Sequence, residues 1–520
     1  MGTWLVHNEL DRQAHWNRGE LAFVFENREY TYGQFVQRVN RISKALREFG
    51  VDEGDRVITH SKNHVELYTV FYACSKLGAV YSPISTFQSE ENMVHICNRL
   101  EPSAVFYSAD PDVVKHGLPV LRQHVSGGLF VALDDVHCVG DRLMDDLVQE
   151  YDGTNPDWAN DHEPSTDHNI FWTSGTTGRP KAVVRDHSAT LHFADGFASQ
   201  LPMHDMDRRL IISNMMYMGP YFRDGITTPR TGGTVYILRE FDSEATVEAI
   251  EQWDINAFQI EFTLANLLIE YLDDHHCSVH VDHLYATLKT AEIAERLYDL
   301  CNDLYHLYAQ TEAGQPFVER LEPPFDEIPT LGHPIESTDV RVVSVDSERG
   351  NLPQKRPNSG NIGELVVRAE GSLTKYMDKE SQRKYVHNGW VYTGDIVGIN
   401  KRGEIFFMGR VDDRIRSGGV NIYPAEVEKV LTDHSDVEDA VVVGVRDETW
   451  GERICALVVA REDRDAEDLT EALNDYCLGH DALSQEMRPR EYAVITSSEK
   501  IPTGALDKVN REQVILEHFK

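Results

Sequence analysis

Apolar residues change their spacing repeatedly along the first part of the chain. Tyr32 to Phe49 carries them at helical intervals, Arg56 to Ser61 forms a strand-like run, and Val65 to Leu77 returns to helical intervals. Alternation of this kind over residues 30 to 108 predicts α/β wiring. Residues 151 to 168 are polar and rich in turn formers, a loop that leads into the apolar strand-like run before Thr173. From Val411 a smaller α/β pattern follows, with apolar runs at Ala440–Val445 and Ile454–Val459 and a helical run at Leu469–Tyr476. The sequence shows no internal repeat. The expected fold class is α/β, with a large N-terminal domain of α/β subdomains over residues 1–411 and a smaller α+β domain over 412–520. Their joint is expected in the glycine-bounded segment Gly409-Arg-Val-Asp-Asp-Arg-Ile-Arg-Ser-Gly-Gly419.

A chain of 520 residues, 41% of them apolar, exceeds what one hydrophobic core usually serves. No apolar run approaches the roughly 18 to 20 residues that span a bilayer, and the N-terminus lacks a basic segment followed by an apolar core. A cytoplasmic protein without an integral membrane segment is the expectation. Seven cysteines, at 74, 97, 138, 277, 301, 455 and 477, form no CxxC pair and suit reduced thiols. The formal net charge is −36, spread along the chain without a run of five or more like charges. Such a surface repels nucleic acid, and it repels itself unless salt screens it, with a Debye length of about 3 Å at 1 M. The charge predicts a salt-adapted, halophilic protein.

Phe171-Trp-Thr-Ser-Gly-Thr-Thr-Gly-Arg-Pro-Lys-Ala-Val-Val184 gathers hydroxyls, glycines and one lysine beside an apolar run. Gly175 and Gly178 let the backbone approach an anion closely, and the N–H groups and hydroxyls of Thr173, Ser174, Thr176 and Thr177 can donate to phosphate oxygens. Lys181 adds a full positive charge. Two residues, not four, separate the glycines, and Ala182 follows the lysine, so the loop is not a Walker P-loop. The stretch Thr173 to Lys181 instead resembles the signature loop of the adenylate-forming superfamily, which includes acyl-CoA synthetases, peptide-synthetase adenylation domains and firefly luciferase.

Three further motifs stand in that family's order, and the resemblance spans about residues 20 to 515. Tyr308-Ala-Gln-Thr-Glu312 resembles its Tyr-Gly-x-Thr-Glu motif, which implies that Tyr308 stacks on adenine, Thr311 meets the α-phosphate and Glu312 helps hold Mg²⁺. Taken alone the pentapeptide reads as an ordinary helix start, and Ala309 replaces the usual glycine. Trp390-Val-Tyr-Thr-Gly-Asp395 resembles the motif whose aspartate takes both ribose hydroxyls, a role implied for Asp395, with Arg410 as its companion on the ribose. Asp412 matches the family's hinge, which makes the smaller domain a mobile lid. Ile501-Pro-Thr-Gly-Ala-Leu-Asp-Lys-Val509 resembles the segment of the catalytic lysine and places Lys508 in that role, although Asp507 stands where many relatives have glycine. Thr173 and Glu312 join Lys508 as catalytic candidates. Ser417-Gly-Gly-Val-Asn-Ile-Tyr-Pro-Ala-Glu-Val-Glu428 resembles the lid segment of CoA ligases, especially those for aryl acids, where Gly418 and Gly419 would leave room for the pantetheine arm. Trp450 either packs near the thiol path or fills the lid core, and Arg488 and Arg490 are candidates for the phosphates of CoA.

The acid site departs most from the family. Met218 stands where many relatives have histidine, Glu261-Phe-Thr263 replaces a frequent Val-Pro-Thr, and Thr290-Ala-Glu-Ile-Ala294 replaces a Ser-Gly-Gly-Ala-like loop. Tyr217, Met218 and Glu261 are the pocket candidates: the methionines suit an apolar acid, whereas Glu261 favours a cationic group if it faces the cavity and is inert if it faces solvent. His275, His276, Cys277, His280 and His283 crowd metal-ligand types after a helix ending near Leu272, without an established zinc spacing. The resemblance implies an ATP-dependent acid–CoA ligase acting on a fatty or aryl acid, with ATP, Mg²⁺ and CoA, and leaves homodimerisation open. Two rivals stand beside it: an adenylating enzyme that loads a carrier protein, and a nucleotide-binding regulator without turnover.

Overall fold

The computed structural model describes residues 4–134, 140–173, 179–201, 207–288, 290–325, 330–345, 349–350, 362–418, 420–461, 466–480, 483–502 and 509–519. They divide into two compact units, 1–340 with 367–393, and 341–366 with 394–520. The last passage between the units lies between Thr393 and Gly394, inside the strand Trp390–Ile399 and ahead of the segment 409–419.

The larger unit is built on two eight-stranded sheets. In the first, the parallel strands Val80–Pro83, Arg56–His60, Ala104–Tyr107 and Leu129–Ala132 continue on one side into Asp167–Thr173, then antiparallel Lys181–Asp186, then the short strand Lys375–Tyr376. In the second, Thr234–Ile237, Arg208–Ile211, Ala257–Glu261, Val281–Thr287 and Cys301–Gln310 run parallel, and Gly314–Leu321 closes one edge antiparallel. The helix Val65–Leu77 is buried at every position and touches strands of both sheets. It ends at Gly78, whose φ of +74° glycine adopts without strain. Neighbouring Tyr32–Glu48 starts with a capping box between Thr31 and Gln34. These elements, and Arg56–His60, fall where the apolar spacing predicts them.

The smaller unit pairs Val437–Asp447 with Gly451–Ala460 along their full length, flanked by Glu491–Ile495 and Ile415–Ser417. Both faces are apolar. Val442, Ile454, Ala456 and Val458 pack with helices Pro424–Thr432 and Ala466–Gly479, while Val441, Val443, Cys455 and Leu457 pack with Ile501 and Val514. That two-sided burial explains why these strands read as continuous apolar runs and do not alternate. Among the described residues no helix is long and apolar enough to cross a membrane, and the six described cysteines are free.

Candidate active site

The strands Asp167–Thr173 and Lys181–Asp186 form an antiparallel pair with Thr173 opposite Lys181. Ser174, Gly175, Thr176, Thr177 and Gly178, which join them, lie outside the described residues. Trp172 is pinned by its Nε1, which donates to Ser82 Oγ at 3.0 Å. At the end of the pair where Thr173 faces Lys181, Thr173 Oγ1 donates to Glu312 Oε1 at 3.2 Å, and the hydroxyl of Tyr376 donates to the same oxygen at 3.1 Å. Burial, reinforced by the Glu312 charge, pushes the Tyr376 phenol up, so it remains a donor. Lys181 Nζ donates to the hydroxyl of Tyr385 at 3.0 Å and sits 4.2 Å from that ring's centroid, a combined hydrogen bond and cation–π contact. Burial raises the Tyr385 phenol, but the Lys384 and Lys181 ammonium groups outweigh it and the net shift is downward.

Tyr308-Ala-Gln-Thr-Glu312 is not a helix start: it runs off the end of the strand Cys301–Gln310 into the turn before Gly314–Leu321. The Tyr308 ring, partly exposed, is held edge-on against Phe317 at 5.7 Å. Beneath the turn lies Arg185, 0% exposed, whose Nη2 donates to the carbonyl of Thr311 and whose Nε donates to the carbonyl of Gly371 at 3.3 Å. Burial lowers the Arg185 pKa to about 10 against the opposing pull of Glu312, so the side chain stays a cation. Arg185, Tyr376 and Tyr385 carry no motif; they reach the site through strand pairing of distant segments, Tyr376 opposite Val183 and Lys375 opposite Val184.

In the smaller unit Asp395 and Arg410 are direct cross-strand partners and form a salt bridge, with the Asp395 side chain nearly buried. The amide of Gly394 donates to Glu364 Oε1 at 3.1 Å, and Arg349 pairs with the other Glu364 oxygen at 3.5 Å. Burial raises the Glu364 carboxyl, Arg349 opposes, and Asp412 and Asp395 add to the rise. The sequence offers Glu364 only as part of Gly363-Glu364-Leu365, and nothing in that tripeptide signals its company. Asp412 is exposed in a turn in which the amide of Asp413 donates to the carbonyl of Arg410 at 3.3 Å. Gly418 has a φ of +58°, its amide donates to the Trp450 carbonyl at 2.9 Å, and a Cβ there would stand 3.2 Å from the Trp450 ring. The Arg490 guanidinium covers that ring at 3.7 Å, so Gly418, Trp450 and Arg490 form one contact group. Gly419 and Lys508 lie outside the described residues, as does Asp507. The residues flanking the lysine segment are joined, the amide of Asn510 donating to the Pro502 carbonyl at 2.8 Å.

The acid-site candidates differ in exposure. Met218 is buried in the main core with Tyr221 and Phe222, while Tyr217 is partly exposed. Glu261 ends the strand Ala257–Glu261, accepts from Ser213 Oγ at 2.6 Å and from Gln259 Nε2 at 3.2 Å, and is partly exposed. The histidine-rich stretch disperses: His275 stacks on Tyr271, His280 contacts Asn302 and His283 contacts Asp303. Among the described residues no group of three or more His, Cys, Asp or Glu side chains is placed to hold a metal ion.

The family model for AMP-binding enzymes matches residues 10–377, and that for the AMP-binding enzyme C-terminal domain matches residues 426–505. The chain belongs to the AMP-binding enzyme family. Relatives include the putative acyl-CoA synthetase YngI of Bacillus subtilis, 24% identical with 99% of this chain and 98% of the relative covered. The fatty acid–(acyl-carrier-protein) ligase ScoC of Streptomyces coeruleorubidus is 28% identical with 84% and 83% covered. Among solved structures, the anthranilate CoA ligase AuaEII in complex with anthranoyl-AMP superposes with a TM-score of 0.84 at 19% identity, over 98% of this chain and 96% of that one. The adenylate-forming fold expected from the motifs is the observed one. Thr173, Lys181, Glu312 and the Tyr308 turn fall within the first match, and Trp450 and Arg490 within the second.

Proposed function

We propose that this member of the family is an ATP-dependent acid–CoA ligase. The observation that carries the reading is the convergence of Thr173, Glu312 and Tyr376 at the end of the strand pair where Thr173 faces Lys181. An oxygen of the substrate carboxylate attacks the α-phosphorus of ATP, the bond to the β-phosphate breaks, and pyrophosphate leaves. CoA, losing its thiol proton, then attacks the acyl carbon through sulfur and AMP departs. Ser174, Gly175, Thr176, Thr177, Gly178 and Lys181 bind the phosphates, Tyr308 takes adenine, Thr311 the α-phosphate, and Asp395 with Arg410 the ribose. Glu312 with the adjoining Thr173 hydroxyl offers hard oxygen donors of the kind magnesium prefers when phosphates supply most of its shell. Bound there, Mg²⁺ would neutralise phosphate charge.

Lys508 stabilises the charge that develops as two anions approach, and it acts only in the first step. Asp412 is the turning point that exchanges Lys508 for the group of Gly418, Gly419 and Trp450, with Arg488 and Arg490 toward the phosphates of CoA. A carrier-protein acceptor is the second reading, favoured by the likeness to ScoC. Replacing Lys508 by Ala tests the assignment: acid-dependent AMP formation is expected to fall by at least about a hundredfold, while supplied acyl-adenylate is still converted to thioester. Equal loss of both steps would refute the role.

A further inference from the structure

One face of the second sheet packs toward helix His187–Ala198, and it carries a charged network that no motif accounts for. Arg209 pairs with Asp207 at 3.5 Å and Asp224 at 3.3 Å, and donates to the hydroxyl of Tyr285 at 2.8 Å. Arg223 pairs with Asp224 at 3.2 Å and lies 5.6 Å from the centroid of Phe197. Glu261 terminates the network, bound by Ser213 and Gln259 and under the electrostatic influence of Arg223 and Asp224. The side chains of Arg209, Arg223, Asp207 and Asp224 are no more than 3% exposed, whereas Glu261 is partly open. Two guanidinium groups face three carboxylates, so the cluster holds one negative charge in excess when Glu261 is ionised. Burial pushes that carboxyl up, against the opposing bond from Ser213 and charge of Arg223. Gln259 Oε1 is buried with no hydrogen-bond partner, a second acceptor beside the carboxylate. A partly buried anion in excess of its cations, beside an orphaned acceptor, is costly unless a donor arrives.

The place of Glu261 in the sheet says where such a donor would come from. Glu261 registers with Thr287 on the next strand, and Ala286 registers with His306 on the one after, so the carboxyl ends of all three strands lie together. Tyr308 follows His306 on that third strand, two strand spacings of about 4.8 Å, or roughly 10 Å, from Glu261. The turn that continues from it carries Thr311 and Glu312. The carboxyl edge of parallel strands is where α/β sheets hold small ligands.

We propose that Glu261 is a specificity-determining residue that selects carboxylic acids bearing a protonated amine at the end remote from the reacting carboxylate. This rests on the acid–CoA ligase reading. Ser213 and Gln259 hold the carboxylate in place, and Arg209 and Arg223 are ion-paired with Asp207 and Asp224, although Arg223 Nε has no hydrogen-bond partner; with two cations against three carboxylates, one negative charge remains for the substrate.

Two matched pairs test it: 6-aminohexanoate against hexanoate, and 4-(aminomethyl)benzoate against 4-ethylbenzoate. Acid-dependent AMP release is measured for the native protein and for Glu261→Gln and Glu261→Leu, with retained ATP-induced thermal stabilisation as the control for folding. The native enzyme is expected to prefer the amine in at least one pair by about tenfold or more in kcat/KM, the size of one charge-assisted contact. Glu261→Gln should erase most of that advantage while sparing the neutral acid, and Glu261→Leu should invert it. Preference for neutral acids in the native enzyme, or an amine advantage that survives Glu261→Leu, overturns the selectivity and leaves the ligase reading standing. Silence across a broad panel of aliphatic and aryl acids, with and without amines, overturns both.

Discussion

Glu312 and Tyr376 show how the site is assembled from residues of unequal visibility. Glu312 is legible because its neighbours form a motif. Tyr376 is not, since its hydroxyl reaches Glu312 only after the strand Lys375–Tyr376 pairs with Lys181–Asp186. Arg185 likewise reads as one more residue of an apolar strand, yet it is the buried cation under the Thr311 turn. Replacing Glu312 by Gln removes the charge of the proposed magnesium ligand while keeping an acceptor, and acid-dependent AMP formation should fall by more than about a hundredfold. Tyr376→Phe deletes one donor to that carboxylate, worth roughly 1.5–3 kcal/mol, so a loss of about tenfold or more is expected with the fold intact. Equal activity of Tyr376→Phe and the native protein would remove Tyr376 from the site.

At the scale of elements, periodicity reveals what is amphipathic and misses what is turned by its partners. Tyr32–Glu48, Val65–Leu77 and Ala466–Gly479 follow from apolar spacing, and the helix after Glu261 runs on to His275, past the stop expected near Leu272. Tyr308–Glu312 is too short to carry a period, and only the antiparallel return of Gly314–Leu321 makes it a hairpin turn.

A further packing feature is invisible in sequence: His7, His162, His187 and His168 form a column with ring centroids 6.4, 5.1 and 4.5 Å apart, drawn from two helices, a loop and a strand. Burial lowers the pKa of all four, that of His168 to about 3. Lys76 opposes protonation of His7, while Glu53 and Asp161 favour it at His162. A histidine held neutral in the fold takes up a proton on unfolding once the pH drops below its unfolded value of about 6.5. Its stabilising effect is therefore full above that pH and shrinks as pH falls toward the folded value, by on the order of 2 kcal/mol for His168 at pH 5. Urea unfolding is expected to show a lower midpoint at pH 5 than at pH 7.5, with a shallower pH dependence in His168→Gln. A midpoint that is flat across this range would show that the four histidines are not held neutral by the fold.

Across the whole molecule, the formal charge of −36 acts on both units alike. Dispersed carboxylates repel one another over about 10 Å at 0.1 M salt and much less at molar salt. The melting temperature should accordingly rise by about 10 °C or more between 0.1 and 2 M KCl; a constant value would mean that the carboxylates are already compensated locally. The two-unit organisation was legible as a change of pattern late in the chain. The passage at Gly394 lies inside Trp390–Ile399, a continuous buried strand with no compositional break there.

The proposed activity is activation of an acid by ATP and its transfer to a thiol. The most direct measurement is release of AMP and pyrophosphate from ATP in molar KCl, over short, medium, long-chain and aryl acids, with and without CoA. Turnover that requires one class of acid and is completed by CoA, yielding the thioester, is the expected result. ATP binding with no acid-dependent AMP from any of these acids would contradict it.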